Sequence, residues 1–520
     1  MKKLAVLLAV LFLAVPIPIG TVPTAQAQNY TPISGAGSTW SYNALDQWRK
    51  NVVQYGMRIN FAGTGSTDGR NQFKAGQVDF AVSEIPYGLT DAGVRDVPPK
   101  DGTYAYMPIV AGGTALMYNL KIGGKRVTNL RLSGEVVTKI FTGVITSWAD
   151  PAIAKDNPGL KLPDRKVVPV VRSDGSGTSA QFTGWMAAQH GGIWDDYCRK
   201  ARRATPCGFT SNYPLIAPAV GQSGSLGVAN YVRQDGSEGS ITYVEYSYAR
   251  NAGFPVAKLL NSKGYYVEPK AQAVAVALMQ AKINSDLTQD LGAVYTNGDA
   301  RSYPMSSYSY MILPIAEGGK FNKDKGRTLS DFAYYFLCEG QQQADRLGFS
   351  PLPINLVRAG VDQVARIPGT TRQNKDISKC NNPTFSADGS NTLATTAPQP
   401  PECDKQGPTQ CKEGTGGATE NTEPNNNGGT NNNNTATNGD NPTGNPTDAP
   451  ADASQPGEET VDPVTGETVR RSSQSATATP VSVSLRQSNS ALLIVVITIL
   501  LVVLVFGPPL VSRWLRGGGR

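Results

Sequence analysis

Three short segments rich in glycine and hydroxyl groups carry the residues best suited to chemistry: Gly35-Ala36-Gly37-Ser38-Thr39-Trp40, Gly63-Thr64-Gly65-Ser66-Thr67-Asp68-Gly69 and Arg172-Ser173-Asp174-Gly175-Ser176-Gly177-Thr178-Ser179. Each stands between a β-rich run (residues 32–34, 58–61 and 167–171) and a helical pattern. Glycine lets the backbone approach a ligand closely. The free N–H groups and the dipole at a helix start favour an anion. Ser and Thr add hydroxyl donors, and Arg172 adds a planar, charged fork. Together the loops would surround a tetrahedral oxyanion with neutral donors and one cation. Singly, each also reads as an ordinary turn and N-cap. None is a Walker A loop, because no Gly-Lys-Ser/Thr follows, and none has the G-x-G-x-x-G form. Ser223-Gly224-Ser225-Leu226-Gly227 lacks the first glycine of a nucleophile elbow.

The sequence holds one histidine, His190. Sites built on two or more His ligands are therefore excluded, and with them most catalytic zinc arrangements. The net charge of +7 is mild for 520 residues and comes with no Lys/Arg block, so a nucleic-acid footprint is not expected. Hydrophobic residues make up 39% and charged residues 17%, below the roughly 45–50% and 25% of globular chains. A sizeable part of the chain is therefore not packed core.

The elements that must position the loops follow from periodicity. Residues 58–61, 78–82, 106–110, 114–120, 167–171 and 240–246 read as strands. Leu45, Trp48 and Val52 predict a helix over 41–54; Phe182, Trp185, Met186 and Gln189 predict another over 178–189. Residues 274–283 and 329–337 read as further helices. This alternation predicts an α/β fold with parallel strands covered by helices. Residues 30–385 form the globular part, about 350 residues and room for one large or two medium domains. Trp148, Trp185, Trp194 and the tyrosine-rich run 303–310 read as packing, and His190 as a helix end at the surface.

The two ends read differently. Residues 1–27, with Lys2, Lys3, an apolar run and Ala25-Gln26-Ala27, form a signal peptide pattern. Residues 489–512 form an apolar stretch long enough to span the ~30 Å hydrocarbon core. Arg513, Arg516 and Arg520 in the tail 513–520 would stay on the cytoplasmic side. Residues 386–488, dominated by Asn, Thr, Gly, Pro and Ser, are expected to be a disordered linker, with a typical reach of ~50–60 Å. Six cysteines suit an exported domain. Nearest-neighbour pairing is the expectation: Cys198 with Cys207, Cys338 with Cys380, and Cys403 with Cys411. Free or intermolecular use of Cys403 and Cys411 is the alternative.

Together with Val78-Asp79-Phe80-Ala81-Val82-Ser83-Glu84-Ile85-Pro86, Ile140-Phe141-Thr142-Gly143-Val144-Ile145-Thr146-Ser147-Trp148 and Gly239-Ser240-Ile241-Thr242-Tyr243-Val244-Glu245-Tyr246, the three loops in this order carry a resemblance. From about residue 34 to 356 the chain resembles the substrate-binding proteins of ABC-type phosphate transporters. The resemblance implies a two-lobed periplasmic-binding-protein fold (type II) with hinge closure around the ligand, followed here by the stalk and one transmembrane helix. Lobe 1 would comprise 28–115 and 250–385, and lobe 2 116–249, with crossings near 112–120 and 246–252. Matched residue by residue, Thr39, the Trp40 N–H, Ser66, Arg172, Ser176, the Gly177 N–H and Thr178 would donate to phosphate. Asp174 would orient Arg172, with a loop or capping role as the alternative.

The family's Asp that accepts the phosphate proton corresponds to Glu84. An ionised carboxylate can only accept, so it selects a protonated anion over sulfate. The extra methylene of Glu84 implies a wider pocket, a rotated side chain or a different ligand. The implied function is a membrane-anchored extracellular protein that captures inorganic phosphate or a similar oxyanion for an ABC permease. It would use no cofactor or metal, catalyse nothing and bind no nucleic acid. The alternative is a phosphate sensor or cell-surface interaction protein on the same fold. The spanning helix departs from most relatives, which are soluble or lipid-anchored.

Overall fold

Runs of apolar residues without polar alternation become strands buried on both faces. In the computed structural model the main strands are β1 (Ile33–Gly37), β2 (Ile59–Ala62), β3 (Phe80–Ser83), β4 (Tyr104–Tyr118), β5 (Val168–Arg172), β6 (Val220–Gln222), β7 (Ser240–Glu245) and β8 (Ser306–Pro314), with β2 exposed on one face and β6 half-buried. They form one eight-stranded sheet in the order β6-β5-β7-β4-β8-β3-β1-β2. Pairs β1–β2, β1–β3, β5–β6 and β5–β7 are parallel; β3–β8, β4–β8 and β4–β7 are antiparallel. The structure describes residues 30–415, apart from 92, 372–376 and 387, and the strand pair Glu459–Val461 and Thr468–Arg470. The expected signal peptide, most of the linker beyond 415 and the expected helix 489–512 lie outside these residues. Among the described residues no helix is long and apolar enough to cross a membrane.

The expected strands at 106–110 and 114–120 are one element. β4 runs for 15 residues straight through Gly112 and Gly113. Its first part pairs with β8, and Thr114–Tyr118 pairs with β7. The two glycines mark close approach rather than a turn: a Cβ on Gly112 would lie 2.7 Å from the Trp40 ring, and one on Gly113 2.6 Å from Pro269. The sheet thus has two halves that share β4.

Helices cover both halves: α1 (Tyr42–Asn51), α2 (Ser66–Lys74), α3 (Gly134–Phe141), α4 (Gly177–Lys200), α5 (Gly224–Arg233), α6 (Tyr246–Ala252), α7 (Ala271–Leu278), α8 (Lys323–Leu337) and α9 (Ile354–Val364). α4 extends past the expected 189 with a break at His190. That ring is half-buried against Trp185, with centroids 5.6 Å apart, rather than lying at a free surface. α8 starts before the expected 329 because Asn322 caps it, accepting the Lys325 N–H. One apolar core gathers Trp40, Trp48, Phe80, Tyr310 and Phe336. A second gathers Trp148, Phe182, Trp185, Trp194 and Tyr243. The tryptophans singled out in the sequence are therefore packing residues.

Cysteines pair as neighbours: Cys198–Cys207, Cys338–Cys380 and Cys403–Cys411. The last pair corrects the start of the expected disordered linker. Residues 388–415 are folded onto the body, with a short helix at Thr392–Thr395. Arg131 Nη1 donates to the carbonyls of Cys403 and Thr409, both at 2.9 Å. Lys258 Nζ donates to Asp404 at 2.6 Å, and the Thr415 N–H to the Thr128 carbonyl at 2.7 Å. Polar composition hid this segment because its fixtures are hydrogen bonds to buried polar groups and one small apolar cluster, in which Leu393, Ala394 and Ala397 pack on Ala275 and Val276.

Candidate functional site

The first loop leaves β1 at Gly37, whose φ of +138° and close approach to β3 need glycine: a Cβ there would lie 2.1 Å from the Val82 carbonyl oxygen. Ser38 then accepts the Trp40 N–H at 2.9 Å, so that expected ligand donor is bonded within its own loop. Thr39 Oγ1 lies 2.8 Å from Ser225 Oγ and accepts the Ser225 N–H at 3.1 Å. The second loop is stitched to the first by the Gly65 N–H on the Gly37 carbonyl at 2.9 Å. It ends at Ser66, the first residue of α2. The Thr67 N–H donates to the Gly175 carbonyl at 3.1 Å, which joins the second loop to the third.

The third loop begins with Arg172 at the end of β5, 2% exposed. Its fork is bidentate on Asp174, with Nε on Oδ1 at 2.7 Å and Nη2 on Oδ2. Nη1 reaches Ser225 Oγ at 3.2 Å and Thr178 Oγ1 at 3.4 Å. Burial pushes the Asp174 carboxyl up, but the bonds and charge of Arg172 and the Gly224 N–H outweigh it and hold the group below the usual carboxylate range. Ser176 caps α4, its hydroxyl accepting the Ser179 N–H at 3.1 Å. The Gly177 N–H donates to Ser66 Oγ at 3.1 Å.

Glu84 follows β3 and is 1% exposed. Its Oε2 accepts from Ser66 Oγ and its Oε1 from Ser309 Oγ, both at 2.8 Å. Burial raises its pKa, while the hydroxyls of Ser38, Ser309 and Ser66 and the charge of Arg172 oppose the rise. The longer side chain is thus neither rotated away nor loose. It reaches across to the start of α4, where a Cβ on Gly177 would meet its Oε2 at 2.1 Å.

The structure therefore gathers the expected residues into two bonded groups. Glu84, Ser66 and Gly177 form one; Arg172, Thr178 and Thr39 form the other, with Asp174 behind the guanidinium. Ser176 serves as a cap and the Trp40 N–H serves Ser38. Sequence reasoning missed two contributors. Ser225 bridges Arg172 and Thr39, and Ser309 holds Glu84. A signal for Ser225 was present: β6, Gly224 at φ +69° and α5 form a fourth strand–glycine–helix unit. Ser309 lies in the tyrosine-rich strand and carries no such mark. Hydroxyls, one N–H and one guanidinium facing a single buried carboxylate suit recognition of an oxyanion that still carries a proton.

Residues 22–339 match the family model of the PBP superfamily domain. The phosphate-binding protein PstS of Xylella fastidiosa (strain Temecula1) is 32% identical over 345 residues, 65% of this chain and 86% of that protein. The protein of the same name from Pasteurella multocida is 32% identical over 364 residues, 69% of this chain and 94% of that one. Among solved structures, a phosphate-binding protein from Stenotrophomonas maltophilia matches with a TM-score of 0.47 and 18% identity, over 69% of this chain and 99% of that chain.

Proposed function

As this chain belongs to the phosphate-binding protein PstS family, within the PBP superfamily, we propose that it captures inorganic phosphate for ABC-type uptake. It is a binding protein and not an enzyme. The observation that carries the reading is the pair of bonded groups, Ser66 and the Gly177 N–H with the buried carboxylate of Glu84, and Arg172 and Thr178 with Thr39 through Ser225. Thr39, Ser66 and Glu84 belong to the proposed lobe 1 (28–115 and 250–385). Arg172, Ser176, Gly177 and Thr178 belong to the proposed lobe 2 (116–249). Bonds such as Gly177 to Ser66 and Ser225 to Thr39 join residues of the two. Phosphate would exchange these links for its own oxygens, and the shared strand β4 would carry the hinge. The proposed placement is at the cell membrane, with residues 489–512 as anchor and an ABC permease as partner.

Calorimetry on the purified protein at pH 7 tests the reading. Phosphate and arsenate are expected to bind and sulfate is not, and no heat with phosphate at millimolar concentration would overturn it. Gly177→Ala offers a sharper check on the site. The added Cβ would meet Glu84 Oε2 at 2.1 Å and Ser66 Oγ at 2.5 Å, so both must shift. Losing two proposed hydrogen bonds at about 0.5–1.5 kcal/mol each should lower phosphate affinity roughly 5- to 150-fold, with the far-UV spectrum unchanged.

A further inference from the structure

A second cavity, of about 540 Å³, lies between the body and the folded segment that contains Pro398, Pro401 and Asp404. Its size is within the ~300–1,000 Å³ of small-ligand sites. The segment is held rigidly. Arg131 grips the carbonyls of Cys403 and Thr409, Asn129 donates to the Cys411 carbonyl at 2.9 Å, and Arg301 donates to the carbonyls of Ala394 and Ala397 at 3.2 Å. Val267, Ala273 and prolines of the segment supply apolar walls.

Three cation–carboxylate pairs stand around this cavity, and the exposed Lys412 and Glu413 also line it. Lys258 pairs with Asp404 at 2.6 Å, Lys270 with Glu268 at 2.7 Å, and Arg301 with Asp299 at 2.7 Å. An ionic ligand seated at Asp404 would have to break its pair with Lys258, which disfavours it there against a neutral polar one. Glu268 Oε2 has no hydrogen bond besides its Lys270 ion pair, and one further acceptor is left unmet. Asp404 is 3% exposed, its Oδ2 takes the Lys258 bond, and among the described residues no donor reaches its buried Oδ1. Leaving such an acceptor unpaired is destabilising. Burial, with the neighbouring Glu268, pushes this carboxyl up against the pull of Lys258.

The open acceptor sits beside an ammonium with one recorded bond out of its donor set. A partner for this pair must donate to one atom and accept from the next while staying neutral. Adjacent alcohols on a ring do this, and the C–H face of the ring suits the apolar walls. We propose that this cavity is a carbohydrate site, in which vicinal hydroxyls of one sugar unit engage Asp404 Oδ1 and Lys258 Nζ. The inference is independent of the oxyanion site.

Saturation-transfer NMR and calorimetry on the full chain, with phosphate saturating, test the proposal with glucose, N-acetylglucosamine and cellobiose as probes and benzylammonium as a cationic control. At least one sugar should bind in the millimolar range. Asp404→Ala should weaken it by roughly tenfold or more. Gln272→Trp, which fills the cavity from a half-buried wall position, should do the same, with phosphate affinity unchanged in both. Should Asp404→Ala also lose phosphate binding, Gln272→Trp decides alone. The proposal is overturned if no sugar binds, if binding survives Gln272→Trp, or if benzylammonium binds in place of the sugars.

Discussion

Replacing Arg172 by alanine should cost phosphate binding about 2–5 kcal/mol, a loss of roughly 30- to 4,000-fold. Two effects add. The first is removal of the one cation bonded among the gathered donors. Arg172 is 2% exposed, so solvent screens its charge little. The second comes from Asp174. Its carboxylate accepts both arms of the guanidinium and the Gly224 N–H. Without Arg172 it becomes a mostly unpaired negative charge next to an incoming anion. The double variant Arg172→Ala/Asp174→Ala should therefore bind phosphate better than Arg172→Ala alone, an interaction that the double-mutant cycle isolates. Arg172→Lys should restore little, because a point charge cannot hold Asp174 bidentately and also reach Thr178 and Ser225. Calorimetry on the four proteins gives the answer. A loss under roughly tenfold in Arg172→Ala would remove the guanidinium from the site.

The parts of this site that could be read from sequence are those with a local cause. Strand, glycine and helix start lie within a few residues of one another. The positive φ at Gly37 (+138°) and Gly65 (+96°) can be anticipated from residue type alone. The α/β class followed from the same alternation. What could not be read depends on contacts between distant segments. Ser309 bonds Glu84 across 225 positions of sequence, and nothing in its tyrosine-rich strand distinguishes it from a packing serine. Gly112 and Gly113 look like a turn until Trp40 and Pro269 are found against them. The segment 388–415 has the composition of a flexible linker. It folds because Arg131, Lys258 and Thr128 on the body bond to it and because Leu393, Ala394 and Ala397 pack on Ala275 and Val276. The Trp40 N–H, expected to face the ligand, is bonded to Ser38 within its own loop.

Glu84→Gln should collapse the discrimination between phosphate and sulfate and at the same time change how stability depends on pH. In the wild type an ionised Glu84 offers only acceptors. A phosphate that still carries a proton can donate to it, whereas sulfate faces an unmatched carboxylate. The amide of Gln adds a donor. Phosphate then loses a hydrogen bond to a charged group, about 1.5–3 kcal/mol or roughly 10- to 150-fold, while sulfate binding strengthens. The stability effect follows from burial, which raises the pKa of Glu84 in the folded chain above its unfolded value. A raised carboxyl contributes fully below the unfolded pKa, and that contribution is lost as pH rises through the folded pKa. Gln mimics the protonated form at every pH. In the absence of ligand, Glu84→Gln should therefore unfold at a higher temperature than the wild type at pH 7–8. The gap should close as pH falls into the ordinary carboxylate range. Denaturation scans across pH and paired titrations with both anions separate the two claims. If sulfate stays excluded from the variant, Glu84 is not the selecting group. If the stability gap fails to narrow in acid, the Ser66, Ser309 and Ser38 hydroxyls already hold Glu84 ionised at no net cost.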